Sequence, residues 1–385
     1  MKLRSPGGVL AALTLARIAF GYQFQNVASL GPVLVRAYHM NFSLLGTLVG
    51  LYMLPGVALA LPAGFAARRF GDRNMVAAGL LLMVVGSAVC AMAAGPAGIG
   101  VGRVIAGAGA VALTVLQGKI AADHFDGHRF TLAMGVIVGA FPLGVGLAQL
   151  AQLPLATEFG VPAAFAGGSM LAAVALVVFL ACWVGGTHVR APLVAWPTRH
   201  ETLLLLLAGL IWTAYNAGYA NFLAYLPSTL TARGHARWVD DVVVTLSTWG
   251  NLPAILFGSG VALRFGPNRV FVFGSLVLSL SIAGMGLTDW PLLWGALFGT
   301  LGAVQAGLIM RVGTLSARPA NRAVGMGLFY TLYYIGGASL PALCGRAADA
   351  MGNPSGAFIA AGALSALALP AYWAHRHFSQ AGAPA

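Results

Sequence analysis

The chain has 385 residues, of which 59% are apolar and only 8% charged, and its mean hydropathy is +0.85. Soluble domains carry roughly 25% charged residues, so a water-exposed globule is excluded and a bilayer-embedded chain, whose lipid-facing positions are apolar, is required. The formal charge of +12 does not mark a nucleic-acid partner, because the basic residues are scattered between apolar runs, where they act as topology signals.

In chain order, apolar stretches of about 20 residues predict spans near 8–35, 44–67, 75–94, 98–122, 130–153 and 160–185. A more polar stretch from Thr187 to Glu201 follows and reads as a cytoplasmic linker. The second set of spans runs near 202–231, 241–263, 269–287, 290–315, 324–347 and 355–374. The chain is thus divided into an N-terminal six-helix bundle over 1–186, an interdomain linker over 187–201 and a C-terminal six-helix bundle over 202–385. Unpaired backbone groups are not tolerated in lipid, and no alternating strand pattern suggests a barrel. The expected fold class is therefore all-α, a polytopic membrane protein with twelve transmembrane helices.

With Met1 in the cytoplasm, fourteen basic residues, from Lys2 and Arg4 to Arg376, fall on the inner side. Only Arg36, Arg233, Arg237 and Arg346 fall outside. That bias places both termini in the cytoplasm and the protein in an inner membrane. Cys90, Cys182 and Cys344 lie far apart in apolar runs, which offers neither a disulfide framework nor a metal-ligand spacing.

The two halves repeat with an offset near 192 to 195. Arg69-Phe70-Gly71 answers Arg264-Phe265-Gly266, Met134-Gly135 answers Met326-Gly327, and Gly144 aligns with Gly336. Gly160-Val161-Pro162 likewise answers Gly352-Asn353-Pro354. Four matches in register argue for duplication of a six-helix unit, the halves being related by an axis along the membrane normal.

Gly64-Phe65-Ala66-Ala67-Arg68-Arg69-Phe70-Gly71-Asp72-Arg73 resembles the loop 2-3 signature of the major facilitator superfamily of secondary transporters, G-x-L-A-D-R-x-G-R-R. Arg103-Val104-Ile105-Ala106-Gly107-Ala108-Gly109-Ala110 is similar to that superfamily's fourth-helix signature, R-x-x-x-G-x-G-A. The resemblance covers essentially the whole chain, and the pattern of Tyr52, Pro55 and Pro62 with Gly139, Pro142, Gly144 and Gly146 is nearest the cyanate and nitroimidazole permease branch. One departure stands out: Arg68 replaces the usual loop 2-3 aspartate, and Asp72 replaces the next basic position. The resemblance implies rocker-switch alternating access, with conformational roles for Gly64, Arg68, Arg69, Gly71, Asp72, Arg73, Arg103, Gly107, Pro142, Arg264, Gly266 and Arg311. It also implies that spans 1, 4, 7 and 10 line a central cavity.

Helical rotation at 100° per residue puts Thr14, Arg17, Gly21, Gln25 and Ser29 on one side of span 1, with Tyr22 at its margin. Span 4 presents Arg103, Gly107, Ala110, Thr114 and Gln117 together. Span 7 presents Trp212, Tyr215, Asn216 and Tyr219, and span 10 contributes Gln305 and Arg311. Asn251 with Trp249 in span 8, and Tyr330, Tyr333 and Tyr334 in span 11, complete the candidate lining.

Arg17 is the most informative residue. It falls about 13 Å into span 1 at 1.5 Å per residue, where a charge costs roughly 2.5 to 3.5 kcal/mol on insertion scales and faces a cavity, a partner or a pathway. All nine acidic residues map to loops or helix ends. Arg17 is therefore expected to bind a small anionic solute through charge-assisted hydrogen bonds, or else to snorkel toward the headgroups. The eight histidines also map to loops or ends, so metal or hydrolytic chemistry has no constellation here and the protein is expected to be no enzyme, with no cofactor. The expected partners are the bilayer and a small-molecule solute, with a co-transported proton or an exchanged anion, and the protein is expected to act as a monomer. Drug efflux and a non-transporting receptor or scaffold are the competing readings.

Overall fold

The computed structural model describes residues 5–185, 196–318 and 321–381. Of the expected linker, residues 187–195 lie outside the described residues. Among the described residues the chain is all-helical. Its helices are α1 (Pro6–Ser29), α2 (Gly31–Ala37), α3 (Phe42–Gly50), α4 (Leu54–Phe70), α5 (Asp72–Met92), α6 (Pro96–His124), α7 (Gly127–Phe159) and α8 (Val161–Cys182). They continue with α9 (Arg199–Arg233), α10 (Arg237–Trp249), α11 (Asn251–Phe265), α12 (Pro267–Leu287), α13 (Pro291–Thr300), α14 (Ala306–Leu315), α15 (Arg322–Met351), α16 (Ser355–Ala366) and α17 (Ala368–Ala381).

These helices account for twelve spans because five of the expected spans are broken. Span 1 is α1 and α2, span 2 is α3 and α4, span 8 is α10 and α11, span 10 is α13 and α14, and span 12 is α16 and α17. Proline explains four of the breaks, since it lacks the N–H that would carry the helical ladder across the junction. Pro32 and Pro55 begin α2 and α4, Pro253 follows the break at Gly250, and Pro370 follows the break at Leu367. Span 10 breaks without proline: the N–H groups of Leu301 and Gly302 both donate to the Leu297 carbonyl, at 3.1 Å each. Two histidines also depart from the expected placement at a loop or end: His375 and His377 both lie within α17, and His375 is 8% exposed with its Nε2 2.9 Å from the Ser316 hydroxyl.

The chain forms two compact units. The first comprises Met1–Met40 and Leu51–Ala191, the second Asn41–Gly50 and Pro192–Ala385. In the first, α1 packs on α7 and α8, and α5 packs on α6 and α8. Glycine sets the closest of these approaches: a Cβ on Gly21 would strike the Phe141 carbonyl of α7, and one on Gly144 would strike the Ile18 carbonyl of α1. Small residues at such crossings let helix backbones touch where lipid supplies no hydrophobic drive.

In the second unit α9 packs on α15, α16 and α17, and α12 packs on α16. The segment α3 joins this unit by lying against α15. Its first two amides, Phe42 and Ser43, donate to the Asp349 carboxylate at 2.7 and 2.9 Å, an acid cap on helix N–H groups that have no partner within the helix. The Tyr225 hydroxyl lies 3.2 Å from the Phe42 carbonyl and 2.7 Å from the Pro341 carbonyl.

The repeated Arg-Phe-Gly triplets take the same form in both units. Gly71 and Gly266 end α4 and α11 with φ of 82° and 87° and ψ of 148° and 136°, a region open essentially to glycine alone. In each triplet the guanidinium lies over the neighbouring ring, Arg69 over Phe70 at 5.7 Å and Arg264 over Phe265 at 5.4 Å. A methyl group added at either glycine would meet nothing within 4 Å, so substitution is opposed by backbone strain alone. Gly71→Ala and Gly266→Ala are each expected to lower stability by about 1 to 3 kcal/mol. Thermal unfolding in detergent checks this, and an unchanged midpoint for both would refute it.

Candidate solute-binding site

Arg17 stands at the middle of the 24-residue α1. It is half-buried, and its Nη1 donates to the Thr114 hydroxyl of α6 at 3.3 Å. That hydroxyl donates in turn to the Ala110 carbonyl at 2.9 Å, which fixes its oxygen as an acceptor toward the guanidinium. The guanidinium carbon lies 4.7 Å from the Phe20 ring centre and 5.1 Å from that of Phe141 on α7. Thr114 and Phe141 are half-buried as well. Three helices therefore converge a cation, a hydroxyl and an aromatic ring on one patch of the first unit.

Of the rest of the expected span 1 face, Thr14 is half-buried and donates to the Leu10 carbonyl of its own helix at 2.8 Å, whereas Gln25 and Tyr22 are buried. Gln25 is 1% exposed. A methyl group on Gly167 of α8 would sit 3.6 Å from the Tyr22 hydroxyl, so Tyr22 is turned to α8. Gln117 is 2% exposed and donates to the Leu13 carbonyl at 3.2 Å. It ties α6 to α1 one turn away from the contact between Arg17 and Thr114.

Arg103 is the largest fully buried side chain of the chain's described residues. It donates to the carbonyls of Gln23 and Phe24 on α1 and lies 4.4 Å over the Tyr52 ring. A Cβ on Gly107, one turn further along α6, would strike the Tyr52 carbonyl. Both motif residues thus hold the turn between α3 and α4, the Arg by its charge and the Gly by its lack of a side chain. Pro142 is buried inside α7.

At the loop 2-3 turn, Asp72 is the first residue of α5 and pairs with Lys119 of α6. Arg69 and Arg73 are exposed, as are Arg264 and Arg311. The side chains of Gly64 and Arg68 lie outside the described ones.

In the second unit the aromatic candidates form one continuous tract. Trp212 stacks on Tyr215 at 5.5 Å, Tyr215 on Tyr219 at 6.4 Å, and Tyr219 on Phe298 of α13 at 5.5 Å. Trp212 also meets Tyr333 of α15 at 6.2 Å, and Tyr333 joins Tyr330 and Tyr334 at 6.4 and 5.2 Å. The Asn251 amide lies against the Tyr219 hydroxyl and donates to the Ser247 carbonyl at 2.8 Å. Asn216 donates to its own helix, at the Trp212 carbonyl. Gln305 stands apart in the break of span 10. It is fully buried, its Oε1 turned onto Gly274 of α12.

A buried amide cluster in the first unit had no place among the expected residues. Gln23 donates to the carbonyls of Met83 and Gly168 at 3.1 and 2.9 Å, and Gln152 donates to Asn26. Gln23 and Asn26, spaced i, i+3 on α1, were the available signal. They fall on the opposite side of the helix from Arg17 and were indistinguishable by type from a lining residue.

The model of the major facilitator superfamily matches residues 13–238, more than half of the chain, and the chain belongs to that family. It is 24% identical over 339 residues to the inner membrane transport protein YajR of Escherichia coli (strain K12), covering 84% of this chain and 73% of that protein. Its fold is similar to that of the Escherichia coli xylose transporter XylE, with a TM-score of 0.76, 14% identity and 95% and 96% of the two chains covered. A bacterial homolog of the human lysosomal transporter Spinster gives a TM-score of 0.75 at 16% identity, with 99% of each chain covered. The nucleoside transporter NupG gives 0.75 at 12%, covering 96% of this chain and 99% of that one. The protein is an integral membrane transporter, not an enzyme.

Proposed function

We propose that this transporter carries a small anionic solute across an inner membrane by alternating access, with Arg17 as the residue that binds the anion. The observation that supports this reading is the position of charge. Arg17 is half-buried at the middle of α1, next to Thr114. Every acid lies at a helix terminus or between helices: Asp72 and Glu201 in first turns, Asp123, Glu158 and Asp349 in last turns, and Asp126, Asp240, Asp241 and Asp289 at or near loop ends. A cation at mid-span with acids confined to the ends favours an anion as the charge brought to it.

Both termini are cytoplasmic in this reading, from the Lys and Arg bias. Among the described residues no carboxylate stands at mid-span to carry a coupled proton, so the solute travels with a proton, uses a loop-end acid such as Asp240 or Asp241 for coupling, exchanges for another anion or moves by facilitated uniport. The aromatic tract from Trp212 to Tyr334 favours one second reading, efflux of hydrophobic compounds, for which aromatic side chains provide an apolar lining.

Purified protein in liposomes, screened against small carboxylates, inorganic anions and lipophilic cations, separates the two. Saturable anion flux is expected, and Arg17→Gln should reduce it at least tenfold, since charge-assisted bonds contribute about 1.5 to 3 kcal/mol. The melting temperature should stay close to wild type. Flux of lipophilic cations, indifferent to Arg17→Gln, would sink the anion reading and leave efflux.

A further inference from the structure

We infer that the Arg17 patch selects a monocarboxylate with an aromatic or planar apolar body over small inorganic anions and over dianions. The inference rests on the anion reading of Arg17 above and goes on to the kind of anion.

The first observation is the charge count at the patch. Among the described residues Arg17 is its only cation with a half-exposed side chain, because Arg103, the other arginine of the same helical layer, is 2% exposed and directed to the Gln23 and Phe24 carbonyls. One guanidinium matches one negative charge. A second negative charge on the solute would enter a low-dielectric surface with no partner, which is costly.

The second observation is what surrounds the guanidinium. Phe20 and Phe141 flank it with ring centres 5.1 Å apart, and Phe20 is 6% exposed while Phe141 is half-buried. Phe20 therefore backs the cation from within the unit, and Phe141 offers accessible ring surface beside it. Nitrate, sulfate or phosphate would lose hydration against that ring and gain no contact in return. A benzoate-like anion places its carboxylate on the guanidinium and its ring against Phe141, where aromatic pairs contribute beyond their buried area. Thr114, with its proton committed to the Ala110 carbonyl, presents an oxygen lone pair toward the guanidinium. It orients the cation and offers the anion no donor of its own.

Binding of benzoate, acetate, nitrate, succinate and neutral benzamide to the purified full-length protein, followed by ligand-induced shift of the melting temperature and by titration, tests this. Benzoate is expected to bind most tightly, with benzamide weak and Arg17→Gln removing the preference for the anion. Phe141→Ala should weaken benzoate by roughly threefold to tenfold and leave acetate unchanged. Should Phe141→Ala fold poorly, Phe141→Leu keeps most of the volume and should still show the selective loss.

Tighter binding of nitrate or succinate than benzoate, still lost in Arg17→Gln, would overturn the monocarboxylate inference and leave the anion carrier standing. Equal binding of benzoate and benzamide, unaffected by Arg17→Gln, would overturn both. An equal loss of acetate and benzoate in Phe141→Ala would reduce the ring to a packing residue and overturn the inference. So would the absence of any shift with benzoate.

Discussion

Gly144→Leu is expected to yield little folded protein. The position carries no side chain because α1 lies directly on α7 there: an added Cβ would strike the Ile18 carbonyl and come within 2.9 Å of the Tyr22 and Ile18 backbone atoms. Overpacked cores usually lose about 1 to 3 kcal/mol because side chains shift. Here the obstacle is helix backbone, which moves only if the whole crossing opens, so the loss should exceed that range. The same crossing holds Gly21 against Phe141, and with it the geometry that brings Phe141 to Arg17. Gly135→Ala on the same helix is the control, since its added methyl meets nothing within 4 Å and alanine favours helix. Size-exclusion profiles and melting temperatures in detergent decide the matter. A Gly144→Leu protein as stable as Gly135→Ala would show that the crossing does not constrain the unit.

Glu201→Gln is expected to destabilise the second unit by about 3 kcal/mol. One carboxylate oxygen accepts from the Thr198 amide at 2.8 Å and the Asn321 side chain at 2.7 Å. The other accepts from the Arg318 amide at 2.9 Å and the Arg318 Nε at 3.1 Å. Glu201 is 7% exposed, and it closes a capping box with Thr198 at the start of α9. An amide in its place turns an N–H₂ group onto two donors, whichever way it is oriented. The Arg318 side chain is 68% exposed, so its ion pair with Glu201 contributes little. The stabilisation lies in the buried backbone and amide bonds, and Arg318→Ala should be nearly neutral. An Arg318→Ala loss as large as that of Glu201→Gln would assign the node to the ion pair instead.

The two motifs are legible in the residue order alone, and the structure supplies their physical reason. Gly71 and Gly266 adopt a backbone conformation that side chains oppose. Arg103 and Gly107 together hold the Tyr52 turn. The aromatic face of span 7 is equally visible, because Trp212, Tyr215 and Tyr219 follow the helical period and their rings do form one tract. The breaks are less visible. Four have a proline at the junction, but prolines also sit inside unbroken helices, as Pro62, Pro142, Pro154, Pro227 and Pro341 do. The fifth, at Leu301 to Gln305, has no proline at all.

Hydropathy and spacing by themselves determined the membrane setting and the all-helical, twelve-span architecture, because these depend on order and composition along one dimension. Tertiary structure alone decided which polar residues serve packing and which stand at an accessible patch. Gln25, Gln117 and Tyr22 share the helix surfaces expected beside Arg17, yet they are consumed by neighbours: Gln117 by the Leu13 carbonyl, Tyr22 by the space at Gly167. Phe20 and Phe141 read as ordinary apolar residues until three helices set them around a guanidinium. The reason is that a buried polar group must find its partner within the bundle, and the partner is fixed by which helix lies alongside, information that no single helix carries.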